Sequence, residues 1–168
     1  MKFVTVFADG RERAGILEDD EIVFLHPELT DIVDVVLTGE QVAQHVARAG
    51  EFGRAKLGEV RLLAPVRKFR RDVLCTGWNY WDHFAEGVGK RDGQEVERPT
   101  APTFFNKSPT AIIGPSDSIA YDPRLSSKWD YEGEIVIIIG REGRSIPSSR
   151  ARDYIFGYTL ANDVSQRD

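Results

Sequence analysis

An acidic pair that leads directly into an apolar run is the feature that most constrains how this sequence can fold. Residues 130–139 read DYEGEIVIII, so Glu132 and Glu134 stand two positions apart just before five aliphatic residues. Side chains of a strand alternate between its faces, which puts both carboxylates on one face. We expect so apolar a strand to be buried on both faces, where ionised groups are costly unless a cation or partner neutralises them. We therefore interpret both glutamates as metal ligands, although such a pair without other motifs would ordinarily face solvent.

A second β-like run carries a third acid. Residues 157–164 read GYTLANDV, with Asp163 among largely apolar neighbours. Three carboxylates could share one ion, and ligation by oxygen alone suits magnesium or manganese better than zinc, with calcium as a further candidate. The nearby Lys128, Asp130 and Tyr131 are expected to shape the approach to the acidic strand and are assigned no chemistry.

A histidine and a glutamate lie one helical turn apart further upstream. Residues 72–77 predict a short buried strand, and His83 and Glu86 follow it in a segment that predicts a helical turn. Residues three apart on a helix lie on the same side, so these side chains could orient one water or share a proton in general acid/base catalysis. A lone histidine is more often a hydrogen-bonded structural residue, and the spacing leaves both interpretations open.

Four motifs in this order resemble the fumarylacetoacetate hydrolase superfamily, with its acylpyruvate hydrolases and 2-hydroxyhepta-2,4-diene-1,7-dioate isomerases. The motifs are G-x-N-Y-x-x-H-x-x-E at residues 77–86, FFNK at 104–107, DYE-x-E at 130–134, and GY at 157–158 leading to NDVS-x-RD at 162–168. The ordered set is more specific than any single motif. The resemblance extends over residues 65–168.

We expect an α+β, mostly β fold in two parts. Residue patterns predict a small N-terminal α/β module at residues 1–66, and the resemblance implies that residues 67–168 are the first part of a mixed β-roll catalytic domain whose remainder is absent from this chain. Alternation and turn signals in the module predict strands at residues 3–7, 12–17 and 21–25, and helices at 30–37 and 40–49.

The resemblance also implies roles for six side chains. The metal ligands are Glu132, Glu134 and Asp163, the water-activating pair is His83 with Glu86, and the substrate-carboxylate contact is Arg167. The implied cofactor is magnesium or manganese, and the implied assembly is a homodimer.

The implied reaction is hydrolysis of a carbon–carbon bond in an acylpyruvate-like or fumarylacetoacetate-like 2-oxo acid. A divalent ion polarises the carbonyl and stabilises the enolate that forms as the bond breaks. Decarboxylases and isomerases of dicarboxylic 2-oxo acids use the same enolate, so both activities remain alternatives. Catabolism of aromatic compounds is the implied setting.

The sequence ends earlier than the resemblance leads us to expect. Members of the superfamily continue well past this point, and Asp163 stands five residues from the last position, where chains fray unless something holds them. We expect a second chain or a longer parent protein to complete the site. An interpretation of another class is a non-catalytic partner half or scaffold subunit, and a weaker one is a metal-binding module without chemistry.

Composition and charge argue against other classes of protein. The 168 residues are 41% hydrophobic and 29% charged, as in an ordinary globular sequence, and the net charge of −5 with scattered basic residues argues against nucleic-acid binding. Neither a secretory signal nor a membrane-spanning run is recognisable. With a single cysteine, Cys75, a cytoplasmic setting is expected. The loop at residues 87–93, rich in glycine and charge, is interpreted as a lid near the site.

Overall fold

Strands outnumber helices in this chain, as the α+β, mostly β prediction requires. The computed structural model describes residues 1–89 and 97–167, and its contacts define two units, Met1–Val66 with Ile113–Asp168 and Arg67–Ile112. Of the described residues, 33% are in strands and 21% in helices, which confirms the predicted fold class. Positions 90–93 of the predicted lid and Asp168 of the last motif lie outside the described residues.

A five-stranded antiparallel sheet opens the larger unit. Its strands are β1 (Lys2–Ala8), β2 (Arg11–Glu18), β3 (Glu21–Phe24), β4 (Arg54–Lys56) and β5 (Arg61–Leu62), in the spatial order β4-β3-β2-β1-β5. Two-residue turns join β1 to β2 at Asp9-Gly10 and β2 to β3 at Asp19-Asp20, and the φ angles of Asp9, Gly10 and Asp19 are positive. Tight hairpins need this backbone conformation. The three strands predicted for the module and both turns are confirmed.

Apolar clusters cover both faces of this N-terminal sheet. One consists of Ala14, Ile16, Leu25, Leu29 and Val35, and the other of Val6, Ala8, Ile22 and Phe24. Along β2, Ala14 and Ile16 occupy alternate positions, and the residues that pair with Val6 and Ile22 occupy the positions in between. Successive side chains of a strand point to opposite faces, so the two clusters lie on opposite faces of the sheet. The first cluster is closed by α1 (Ile32–Leu37) and α2 (Val42–Ala47), whose Val35, Val42 and Val46 join or pack against it.

A second sheet region carries the predicted metal ligands. It contains β8 (Trp129–Asp130), β9 (Gly133–Ile139), β10 (Ile155–Asn162) and β11 (Ser165–Gln166), with β9 antiparallel to β10 and β8 antiparallel to β11. We call these four strands the ribbon. Phe156 of β10 packs against the first cluster of the N-terminal sheet, with its ring centroid 5.7 Å from that of Phe3. The ribbon is therefore anchored on the module's core.

The apolar strand β9 is exposed, so the prediction that it is buried on both faces is wrong. Ile135, Ile137 and Ile139 are 70%, 51% and 60% exposed, while Val136 and Ile138 are half-buried. Among the described residues β9 pairs only with β10. A two-stranded pair of this kind has no second layer of structure over its apolar face. Burial therefore does not account for the acidic pair, of which Glu132 precedes β9 and Glu134 lies within it.

The smaller unit holds a hairpin-like pair of strands and one helix. β6 (Val73–Gly77) is antiparallel to β7 (Thr103–Lys107), and α3 (Trp81–Glu86) follows β6. The strand predicted at residues 72–77 is confirmed by β6, but its predicted burial is wrong, because Leu74 is 66% exposed and no residue of β6 is fully buried. Each α-helix of the described residues has six residues, and none is long and apolar enough to cross a membrane.

Candidate functional site

One antiparallel register runs through the ribbon from the Ile138–Gly157 pair to the Trp129–Gln166 pair, and it shifts only between Ile155 and Gly157. Glu134 is opposite Ala161 in the β9–β10 pair, and Asp130 is opposite Ser165 in the β8–β11 pair. Between these two pairs the N–H of Asp163 donates to the carbonyl of Glu132 at 2.7 Å. This bond makes Glu132 the cross-strand partner of Asp163 and joins the two short ladders into one.

The register places the acidic side chains on a common face. Cross-strand partners in an antiparallel pair share a face, and so do residues two apart along a strand. Asp130, Glu132, Glu134 and Asp163 therefore belong to one face of the ribbon, which we call the carboxylate face. The opposite, apolar face carries Ile135, Ile137, Ile139, Tyr158 and Leu160.

Arg167 brings a positive charge to the carboxylate face. Its Nε and Nη2 donate to Oδ2 of Asp130 at 3.1 and 2.9 Å, and Nη2 also donates to Oε1 of Glu132. The hydrogen bond to Asp130 raises the pKa of Arg167 above its ordinary value, and the charge of Glu132 acts in the same direction. The predicted substrate-carboxylate contact is thus engaged by two acids of its own chain.

The carboxylate face has the donor chemistry of a site for a hard divalent cation. Glu132, Glu134 and Asp163 offer only oxygen ligands, which magnesium and manganese prefer, and a cationic guanidinium already sits against Glu132. Within residues 1–89 and 97–167, no three acidic, histidine or cysteine side chains converge closely enough to hold one ion. Arg167 already contacts Oε1 of Glu132, whose side chain is 24% exposed. The residue types and their shared face fit a metal, and the ligand set stays a prediction.

Two residues near the acids were not predicted to take part. The N–H of Glu132 donates to Oδ1 of Asn162 at 3.1 Å, which fixes the backbone where the two ladders meet. Asp130 binds Arg167, although the sequence interpretation gave it no chemistry. The period-two spacing of Asp130, Glu132 and Glu134 is the signal that could have placed Asp130 with the ligands.

The predicted acid/base pair lies on α3. His83 and Glu86 are three positions apart on this helix, so they project from the same side, and both are exposed. They belong to the unit of residues 67–112, whereas the carboxylate face belongs to the other unit. Their action on one substrate stays a prediction.

Backbone strain and an aromatic contact mark the segment around α3. Trp78, which follows β6, has a φ of 49°, a conformation that costs a bulky residue free energy and is concentrated at functional sites. Its ring meets Phe84 edge to face at 5.5 Å. The guanidinium of Arg98 stacks over Trp81 at 3.5 Å from the ring centroid, and Trp81 remains 53% exposed.

Sequence comparison decides the family. Residues 72–168 match the family described as fumarylacetoacetate (FAA) hydrolase C-terminal, and residues 1–65 match Rv2993c-like, N-terminal. The first match covers more than half of the chain and contains all six predicted site residues. The chain belongs to the fumarylacetoacetate hydrolase family. The predicted resemblance is confirmed.

Three proteins that are similar to this family member are named as three different kinds of enzyme. Oxaloacetate tautomerase YisK of Bacillus subtilis is 30% identical over 189 residues, which cover 100% of this chain and 61% of YisK. A solved fumarylacetoacetate hydrolase from Exiguobacterium antarcticum has 35% identity and a TM-score of 0.76 over 100% of this chain and 57% of its own. A solved 5-carboxymethyl-2-hydroxymuconate delta-isomerase from Mycobacterium smegmatis has 28% identity and a TM-score of 0.70, covering 100% and 56%.

These names define how specifically the reaction of this chain can be stated. Family membership supports an enzyme of the hydrolase, isomerase or tautomerase kind and does not specify acylpyruvate hydrolysis. Enzymes of the family generally use divalent metals. The chain spans 56–61% of the length of these three proteins, so the activity of the whole protein is a matter for proposal.

Proposed function

We propose that the protein catalyses metal-assisted enolisation of a dicarboxylic 2-oxo acid, with keto–enol tautomerisation of an oxaloacetate-like substrate as its reaction. The observation that carries the proposal is the carboxylate face, where one register aligns Glu132, Glu134 and Asp163 beside Arg167. An oxygen-only ligand set next to a cationic fork suits a substrate that is both an oxygen chelator and a carboxylate.

Each group has a distinct task in this reaction. A divalent cation held by Glu132, Glu134 and Asp163 would supply the Lewis acidity that favours the enolate of a 2-oxo acid. His83 and Glu86 would move the proton, one accepting it from the carbon beside the carbonyl and the other delivering a proton to the carbonyl oxygen. The keto form then becomes the enol with no net gain or loss of atoms.

Arg167 would recognise the substrate. A guanidinium presents its N–H donors in a fixed planar fork that pairs with a carboxylate in two parallel hydrogen bonds. The pairing of Arg167 with Asp130 and Glu132 shows that its fork already lies among carboxylates. A second carboxylate of the substrate would pair with the part of the guanidinium that Asp130 does not hold.

Hydrolysis of a fumarylacetoacetate-like or acylpyruvate-like compound is the second candidate. The spacing of His83 and Glu86 favours it, because such a pair can take a proton from water. Hydroxide then attacks the carbonyl carbon, and the carbon–carbon bond breaks to release an acid and an enolate, which is protonated. The resemblance to a protein named fumarylacetoacetate hydrolase from Exiguobacterium antarcticum supports hydrolysis as a candidate. Decarboxylation passes through the same enolate and is the third reaction to assay.

A second polypeptide is the partner that this proposal expects, either another copy of the chain in a homodimer or a chain that completes the catalytic domain. The apolar face of the ribbon supports such an association, since Ile135 and Leu160 are 70% and 79% exposed. Light scattering during size-exclusion chromatography should give a mass well above the 18.9 kDa of one chain. A single species at that mass would contradict the expected partner.

The decisive assay follows the ultraviolet absorbance of the enol of oxaloacetate in the presence of Mn²⁺. We expect Glu134→Gln to lower kcat/KM at least about 100-fold, because loss of a carboxylate ligand weakens binding of the cation that would supply the Lewis acidity. Glu142→Gln is the matched control, since Glu142 is an exposed glutamate after β9 and outside the carboxylate face. Equal rates for the two variants would contradict the proposal.

Two further measurements separate the remaining interpretations. His83→Ala should abolish turnover and leave the affinity for Mn²⁺ unchanged, whereas a metal-binding module without chemistry has no turnover to lose. A wild-type protein that binds Mn²⁺ and accelerates none of the three reactions would overturn the enzyme proposal in favour of a scaffold.

A further inference from the structure

Arg167 divides its hydrogen bonds unequally between two acids. Both Nε and Nη2 donate to Oδ2 of Asp130, whereas only Nη2 reaches Glu132. Asp130 therefore holds the edge of the guanidinium that contains Nε. Arg167 and Asp130 are each 45% exposed and Glu132 is 24% exposed, so the acid that a metal would need is the more buried of the two.

The backbone fixes Asp130 beside Arg167 independently of Glu132. Asp130 is opposite Ser165, and the N–H of Arg167 donates to the carbonyl of Lys128 at 2.9 Å. Arg167 and Asp130 thus lie diagonally across one antiparallel pair, a separation that long side chains span easily. The Arg167–Asp130 pair can persist when the side chain of Glu132 moves.

A divalent cation and the Arg167 guanidinium compete for Glu132. Both are positive, so each would lower the other's affinity for that carboxylate. If Arg167 lost its contact with Glu132, its two bonds to Asp130 would remain. If Asp130 were absent, Glu132 would be the only acid among the contacts described for the Arg167 side chain, and pairing there would neutralise a metal ligand.

We propose that Asp130 is a positioning residue that retains Arg167 at the edge of the carboxylate face and so keeps Glu132 available to a divalent cation. The inference rests on the proposed function, in which Glu132 is a metal ligand and Arg167 a substrate contact. Asp130 acts through Arg167 and touches neither metal nor substrate. The ion and the arginine then share the face instead of excluding one another.

A double-mutant cycle on Mn²⁺ affinity tests this coupling without any assay of turnover. By isothermal titration we expect Asp130→Asn to weaken Mn²⁺ binding about fivefold and Arg167→Met to strengthen it by a similar factor. In the Arg167→Met background, Asp130→Asn should have almost no effect. Asp153→Asn is the matched control, because Asp153 pairs with Arg150 at 3.1 Å outside the carboxylate face.

The double-mutant cycle distinguishes positioning of Arg167 by Asp130 from a direct electrostatic effect of the Asp130 charge on the metal. If Asp130 merely added negative charge near the metal, Asp130→Asn would weaken binding equally with and without Arg167, and that result would overturn the inference. Unchanged affinity in Asp130→Asn would overturn it as well. Absence of Mn²⁺ binding by the wild-type protein would overturn both the inference and the metal centre of the proposed function, so the two failures are distinguishable.

A measurement on the wild-type protein removes any dependence on how the variants fold. The Nε–H resonance of Arg167 can be followed by NMR during titration with diamagnetic Mg²⁺. We expect it to keep its hydrogen-bonded shift at saturation, because the bond to Asp130 survives. Loss of that shift on Mg²⁺ binding would show that Asp130 does not retain the arginine.

Discussion

The N-terminal sheet and the ribbon are both antiparallel and rich in aliphatic residues, yet they use these residues in opposite ways. In the sheet, Val6 and Ile22 are fully buried under apolar clusters. In the ribbon, Ile135 and Ile137 are exposed, and the other face carries charge. Stability is therefore concentrated in the sheet, and the ribbon, anchored through Phe156, displays chemical groups.

Truncating one isoleucine in each region tests this contrast most strongly. Ile22→Ala should lower the free energy of unfolding by about 3 kcal/mol, because it leaves a cavity in a fully buried cluster. In the unassociated chain, Ile135→Ala, at a 70% exposed position, should lower it by less than about 0.5 kcal/mol. Urea denaturation at concentrations too low for association measures both. Equal losses under those conditions would show that the chain itself covers the apolar face of the ribbon, and the contrast would fail.

Metal addition should slow local opening of the ribbon and have little effect on local opening of the N-terminal sheet. At a free Mn²⁺ concentration of 100 times Kd, binding to the folded state alone adds about 2.7 kcal/mol to the free energy of unfolding. Asp163→Asn or a chelator should remove this gain. Hydrogen exchange should slow most in β9 and β10, where local opening is easiest. A gain that persists in Asp163→Asn would place the ion elsewhere.

Two glycines offer a matched pair with a smaller effect. A Cβ at Gly15 of β2 would lie 2.6 Å from Cγ2 of Ile22 and 3.1 Å from the carbonyl oxygen of Val23, whereas nothing lies within 4 Å of one at Gly133 of β9. Gly15→Ala should cost about 2 kcal/mol through overpacking. Gly133→Ala should stabilise by about 0.5 kcal/mol, because it restricts the unfolded chain. Thermal unfolding that ranks them in reverse would contradict the assigned packing.

The smallest effect is expected at an exposed pair outside both regions. The hydrogen bond from Arg124 holds the pKa of Asp122 below its ordinary value of 3.8. Because the folded-state pKa is the lower one, the pair stabilises the fold at pH values above 3.8, and this contribution disappears as the pH falls through the folded-state pKa. In Asp122→Asn, the melting temperature should fall slightly less steeply with decreasing pH than it does in the wild-type protein. An unchanged slope would show that solvent screens the pair completely.

Local signals explain what could be predicted of the fold. The strands and turns of the module follow from alternation and from Asp9-Gly10 and Asp19-Asp20, which act within a few residues. Helices were predicted at residues 30–37 and 40–49, and α1 and α2 lie within those ranges. The exposure of β9 escaped prediction, because burial depends on which other segments cover a strand and an apolar run does not specify them.

The candidate site also combines features that local sequence signals predict with a contact that they do not predict. The motifs named Glu132, Glu134, Asp163, His83 and Glu86, since each stands at a characteristic spacing in the chain. The contact of Asp130 with Arg167 joins residues 37 positions apart, and no local pattern encodes that separation.

The sequence alone determined the family, the mostly β class, and the chemical types of the candidate site residues, because these are encoded in composition, spacing and short-range periodicity. The fold added the common register of the ribbon, the face that its four acids share and the arginine that lies among them. Those features arise from pairing between distant segments, where cross-strand hydrogen bonds fix which side chains meet.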